Sequence, residues 1–252
     1  MPNLPMHIYL ANRIAEELDW GNVHDHLGDY FLGSTAPDIR AMTKWDRERT
    51  HFAPLSLEHI GQGTRKMFDN YPELIESTRL NPAARAFLIG YITHLTADEV
   101  WITTMYRPNF ASPTKVTSNK VDADIWDRAL QLDMDKEVLE TSNRLERELN
   151  LIKAGDQAID LVFLDQSLLS EWRCWISRFL GWDFTWDRLQ RALNRMYRDD
   201  HEVQQLVAGF LTNVDGNLET VYEKIPKSNI TAFQQRVESE ALTQIKEYIR
   251  ET

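Results

Sequence analysis

His94 and Asp98 stand four residues apart in an otherwise almost unbroken apolar stretch, AARAFLIGYITHLTADEVW, residues 83–101. On a helix that spacing stacks the two side chains on one face and lets them reach a common point. The same face carries Phe87, Gly90, Tyr91, Trp101 and Met105, so it should look inward. A buried imidazole and a buried carboxylate pointing the same way need a partner, and a metal ion satisfies both at once.

Three further residues extend the chemistry: His7, Asp38 and His51. Zinc and similar ions take neutral imidazoles and carboxylates, with three or four protein ligands and an open position in catalytic sites. His94 and Asp98, joined by His51 from a loop, would make one three-ligand site. The second oxygen of Asp98 could bridge to a second ion held by His7. Two bridged ions can activate a water and clamp a phosphate during in-line displacement. Asp38 would then be either a ligand or the general base. The plainer alternative is a core histidine satisfied by a carboxylate, since His-x-x-x-Asp on a helix is common.

The elements that must position these groups read as helices, because alternating strand patterns and hairpin dipeptides do not recur. The periodicity predicts a first helix from about Pro5 to Leu18, with His7 on the stripe of Leu10, Ala11, Ile14 and Leu18. A short helix follows over Leu27 to Leu32, and loop signals run from Gly33, with Asp38 and His51 inside that loop. A helix is expected over Ser56 to Tyr71, capped by Ser56. Asn81-Pro82 opens the helix of His94 and Asp98. Arg107 to Lys120 reads as a loop, and Asp122 to about Leu151 as one broken or two shorter helices. Further helices are expected over Asp156 to Leu164, Ser167 to Leu180, Thr185 to Tyr197, Asp199 to Lys224 and Thr231 to Ile249. With no repeat or linker visible, the expectation is all-α: one multi-helix domain over 1–252, with a motif-bearing core at about 5–106 and a helical remainder at about 121–250.

Composition excludes some partners. The chain has 252 residues and a net charge of −11, which argues against wholesale binding of duplex nucleic acid. No apolar run approaches the ~20 residues of a membrane-spanning helix. The start of the chain lacks the pattern of a secretory signal, and the single Cys174 allows no intrachain disulfide. These features together suggest a cytoplasmic protein.

The motifs also resemble a family. An early His in an amphipathic helix (His7), a Gly-Ser-x-x-Pro-Asp turn (Gly33, Ser34, Pro37, Asp38), a Thr-His-Phe (His51) and a Gly-x-x-x-His-x-x-x-Asp helix (Gly90, His94, Asp98) occur in the order found in the bacterial zinc-dependent phospholipase C family. The resemblance spans roughly residues 5 to 106. It implies an all-helical fold shared with single-strand-specific nucleases that carry three zinc ions. It further implies that His94, Asp98 and His51 hold one zinc, that Asp98 bridges to a second zinc bound by His7, and that Asp38 is the base. The sequence departs from the family in two places. The secreted enzymes begin at a processed Trp that binds metal, whereas Met1-Pro2 stands here. Their second His cluster has no counterpart either, because only His201 follows Asp98. His24, His26 and Asp29 could fill part of that gap, but their turn-like setting suggests solvation. One or two zinc ions, or other divalent transition metals, are expected.

The remaining chemistry-bearing residues have plainer readings. Glu99, about 100° round the helix from Asp98, reads as a surface charge. Arg40, Arg47 and Arg49 flank the Asp38–His51 loop and could bind phosphate or simply be solvated. His59 reads as either a supporting partner or an exposed group. Trp172, Trp175 and Phe179, with Trp182 and Trp186, read as core packing ahead of a lipid or partner surface. Cys174 reads as a buried small hydrophobe. The expected function is a metal-dependent phosphoesterase, a phospholipase C-like phosphodiesterase using a metal-activated water. Its expected substrate is a small-molecule phosphoester or a phospholipid headgroup. The competing expectation is a non-catalytic helical interaction protein with a degenerate or structural metal site.

Overall fold

The helix Pro82–Val100 is the axis of the computed structural model, which describes residues 1–75, 80–111, 116–155, 159, 161–198 and 200–251. Asn81 starts it by accepting the Ala84 backbone N–H at 2.7 Å, and Pro82 takes the first position, where no amide donor is needed. Its apolar side chains run right round the axis, so burial on every side is the stable arrangement. Every residue from Ala86 to Val100 is buried. The surrounding helices are Leu4–Glu17, Leu27–Gly33, Gln62–Asn70 and Lys227–Glu251. Beyond Val100 the backbone widens into a π-helical segment, Trp101–Tyr106, before a last turn at Arg107–Asn109.

Two glycines set how closely the central helix is approached. A Cβ on Gly90 would lie 1.9 Å from the Tyr30 carbonyl oxygen, and one on Gly33 would lie 2.0 Å from that of Phe87. Any side chain at either position would wedge Leu27–Gly33 away from Pro82–Val100. This contact brings the turn after Gly33, and with it Ser34 and Asp38, against the face that carries His94.

The first helix buries Leu10, Ala11 and Ile14 together with His7, as its spacing predicts. Arg13 on its outer side hydrogen-bonds Glu238 of the last helix. That last helix also reaches the centre, where Gln244 Nε2 donates to Thr96 Oγ1 at 3.0 Å. Lys120–Thr141 and Glu146–Ala154 meet at a kink whose residues Asn143, Arg144 and Leu145 all have positive φ. The helices Gln166–Leu180, Asp187–Tyr197, His201–Thr212 and Val214–Lys224 complete the layer. Buried apolar side chains from Leu4 to Tyr248 form one continuous cluster. The fold is all-α, and no strand occurs among the described residues.

Several boundaries differ from expectation. The helix expected from Ser56 begins at Gln62, because Gly61 sits at φ +86° and breaks the helical path just before it. The expected loop after Gly33 contains short helical turns at Ala36–Ile39, Arg40–Thr43 and Glu48–His51. Of the helix expected over Asp156 to Leu164, Asp156, Gln157, Ala158 and Asp160 lie outside the described residues, and Leu161 and Leu164 instead close a turn by exchanging backbone hydrogen bonds at 3.0 Å. In the expected loop from Arg107 to Lys120, Ser112 to Lys115 lie outside the described residues. The helix expected from Asp199, itself outside the described residues, divides at Asn213, whose side chain caps the second half at Gly216. The final helix starts at Lys227, so Thr231 lies inside it.

Candidate metal centre

The structure brings His7, Asp38, His51, His94 and Asp98 together from four separate segments. His94 donates from Nδ1 to the Ser34 carbonyl at 2.8 Å, which leaves Nε2 as its free nitrogen. That carbonyl is in reach because of the glycine contact between the two helices. His51 ends the turn Glu48–His51, and Phe52 at φ +57° then reverses the chain. His51 Nδ1 pairs with the Thr50 hydroxyl at 3.0 Å, and Tyr91 OH donates to the Thr50 carbonyl, so the turn is fixed to the central helix. His7 enters from the first helix and stacks its ring on His94, with centroids 3.7 Å apart and planes 8° from parallel.

Asp98 divides its two oxygens. Oδ1 lies 3.4 Å from His7 Nε2, whereas Oδ2 lies 3.1 Å from His51 Nε2 and 3.9 Å from His94 Nε2. Asp38, on the turn Ala36–Ile39, places Oδ1 3.8 Å from His51 Nε2. Trp172 Nε1 donates to Thr35 Oγ1 at 3.1 Å and anchors that turn from the far side. Two triplets have ligand atoms within 4.8 Å of one another: His7, His94 and Asp98, and Asp38, His51 and His94.

The donor set fits a zinc ion. Both ring nitrogens of His7, Nε2 of His51, Nε2 of His94 and Oδ1 of Asp98 are buried without a hydrogen-bond partner. Buried polar atoms left this way cost roughly 1–3 kcal/mol each unless something coordinates them. Their protonation suits coordination as well. Burial pushes His94 well below its ordinary value, helped by the His7 ring, and burial also lowers His51. Both are therefore neutral near pH 7 and offer lone pairs. Burial alone would raise Asp98, but Arg47 with the His51 and His7 contacts holds it well below the usual carboxylate range. His94 has only one free nitrogen, so the two triplets cannot both use it. The residues therefore suit one ion, or two of which only one takes His94.

Arg47 is the residue that sequence reasoning placed least well. Its place in the sequence suits a phosphate binder or a solvated loop residue, yet its Nη2 lies 2.9 Å from Asp98 Oδ2, inside the cluster. Its Nε and Nη1 are buried without partners. Glu99 is a second correction: it is 2% exposed, not a surface charge. A helix buried on all sides has no solvent face at 100°, and Glu99 instead accepts the Gly61 and Gly63 amides, the latter at 2.6 Å. Burial raises its carboxyl to about 7 despite those two hydrogen bonds.

The other candidates sort more simply. Asp29 is buried rather than solvated and lies 3.5 Å from His26 Nδ1, while His24 donates to the Leu18 carbonyl at 2.9 Å. His59 is exposed. Cys174 is exposed rather than a core residue, because it lies on the outer side of its helix. Trp172 is core as expected, whereas Trp175 and Phe179 are half-buried and Trp182 is exposed.

Comparison with known families agrees with this geometry. Residues 6–101 match the profile of a family described as zinc dependent phospholipase C, and the matched segment contains all five clustered residues. The match supports a zinc-dependent phospholipase C family for this segment, with zinc as the metal that the buried His/Asp group could hold. No curated protein and no solved structure matches the chain. Among the described residues no helix is long and apolar enough to cross a membrane.

Proposed function

We propose that the protein is a metal-dependent phosphoesterase, a phospholipase C-like phosphodiesterase, built as one domain over its whole length. His51, His94 and Asp98 would hold one zinc ion, and His7 with the other Asp98 oxygen would offer ligands for a second. When bound, zinc polarises the phosphoryl oxygens and makes a water nucleophilic near neutral pH. The chain's own residues supply the rest. Ser34 and Thr50 fix the imidazoles so that Nε2 points inward, and the packed central helix keeps bulk water from the inner side.

Asp38 is the observation that carries the catalytic reading. Its side chain is 29% exposed, against 2% for Asp98, so it borders both the cluster and the solvent. A carboxylate at that boundary can take the proton of an attacking water as the bond to phosphorus forms. A purely structural site has no use for a carboxylate facing outward beside the ligands. The substrate is a phosphoester, either soluble or a phospholipid headgroup.

Hydrolysis of bis-p-nitrophenyl phosphate by zinc-loaded protein tests this reading. Activity should vanish on chelation and return with zinc. Asp38→Asn should lower kcat by about 10²–10⁴. A fully zinc-loaded protein that turns over neither this ester nor p-nitrophenylphosphocholine would favour the structural role.

A further inference from the structure

A cavity of about 460 Å³ opens beside Asp38. Arg40, Lys44, Arg128 and Arg195 line it, and Asp38 is its only acidic lining residue. This concentration of cations occurs in a chain whose net charge is −11. Arg13, Lys120, Arg144 and Arg236 lie against the carboxylates of Glu238, Asp124, Asp183 and Glu240. The four cavity cations do not. Arg40 donates to the Trp45 carbonyl at 3.3 Å, Lys44 to that of Ala41 at 2.5 Å and Arg128 to Gln131 Oε1 at 2.8 Å. Among the described residues none of the four cations is paired with a carboxylate.

Part of the lining is aromatic. Trp172, Trp175 and Phe179 stack in sequence, with centroid separations of 4.9 and 5.1 Å, and line the same cavity. Concave sites with an apolar wall and a few convergent charges are the usual form of small-ligand sites. Guanidinium groups without a carboxylate partner are suited to bidentate binding of phosphate or carboxylate.

We propose that this cavity binds a second anionic group of the substrate, so that the preferred substrates are phosphoesters carrying two anionic groups rather than zwitterionic phosphocholine esters. The proposal rests on the phosphoesterase reading above: the scissile group lies at Asp38 and the cluster, the second anion among Arg40, Lys44, Arg128 and Arg195, and the organic part against Trp175 and Phe179. A soluble bisphosphate and a phosphorylated lipid headgroup share this chemistry.

Calorimetric titration of the zinc-loaded full chain with fructose 1,6-bisphosphate, fructose 6-phosphate and phosphocholine tests the proposal. The bisphosphate should bind about tenfold more tightly than the monophosphate, phosphocholine should bind most weakly, and the preference should shrink as salt is raised. The Arg128→Gln/Arg195→Gln variant should lose the preference. If that variant does not fold, the exposed Lys44→Gln should weaken it. Equal affinity for mono- and bisphosphate, or a preference untouched in these variants, overturns the proposal. Hydrolysis of phosphatidylinositol 4-phosphate vesicles ahead of phosphatidylcholine vesicles would support a lipid source, and bisphosphate preference without it a soluble one. Turnover of bis-p-nitrophenyl phosphate with equal affinities contradicts the second anion site alone, whereas absent turnover contradicts the phosphoesterase reading itself.

Discussion

Arg47 Nη2 lies 2.9 Å from Asp98 Oδ2, so the guanidinium shares an oxygen with His51 and His94 at the centre of the cluster. A buried carboxylate in contact with three imidazoles needs a positive charge, and the arginine supplies one from within the chain. It also competes with an ion for the same oxygen.

Replacing Arg47 with Met should therefore cost the apo protein more than the zinc-bound protein. Without metal, leaving Asp98 unpaired should destabilise the fold by about 3–5 kcal/mol. With zinc present the deficit should shrink, because the ion replaces the lost charge. Urea unfolding with and without saturating zinc checks this, and an equal deficit in both conditions would show that Arg47 and the ion do not compete.

Gly90→Ala would drive a methyl group to within 1.9 Å of the Tyr30 carbonyl, a backbone atom that cannot swing away. The expected result is a loss of about 1–3 kcal/mol from overpacking, together with weakened zinc binding as Ser34 is pushed off His94. Competition for zinc with a chromophoric chelator separates the two effects. Unchanged stability would mean that the two helices are farther apart than described.

Thr50→Val removes the hydroxyl 3.0 Å from His51 Nδ1 while keeping the side-chain shape. Loss of such an orienting partner typically costs ten- to a hundredfold in metal affinity, so roughly that fall is expected. Zinc affinity equal to that of the unmodified chain would remove Thr50 from the account.

Asp135 gives a pH signature. Burial raises its carboxyl to about 7, opposed by the Asn3 amide, which donates to it at 2.8 Å. The folded chain thus keeps a proton that the unfolded chain releases near 3.8. The corresponding stability is fully present below about pH 4 and is lost as pH rises towards 7. Asp135→Asn should flatten that slope and raise the melting temperature at pH 8 relative to the unmodified chain. An identical pH profile for both would contradict the raised value.

The helix of His94 and Asp98 was legible because its signal is local: a cap at Asn81-Pro82, continuous apolar periodicity and two polar groups at i, i+4. His7, Asp38 and His51 were legible through spacing and the order of their motifs. Arg47 and Glu99 were not, because their roles depend on partners 51 and 36–38 residues away. Nothing in RERTHF says that its first arginine turns inward, and a 100° rotation implies solvent only where a helix has a solvent face. Similarly, Gly61 reads as a weak helix residue in sequence, and only its positive φ makes it the start of the element. The cavity cations were half legible: Arg40 lies in the expected loop, but Arg128 and Arg195 come from helices far along the chain.

The most direct test of the central claim is the zinc content of protein equilibrated with zinc and freed of excess, measured by elemental analysis for the unmodified chain and for Asp98→Ala. The account predicts one or two zinc ions per chain for the former and a near-complete loss for the variant, with the fold retained by circular dichroism. Full stoichiometry in Asp98→Ala, or no zinc in the unmodified chain, would contradict it.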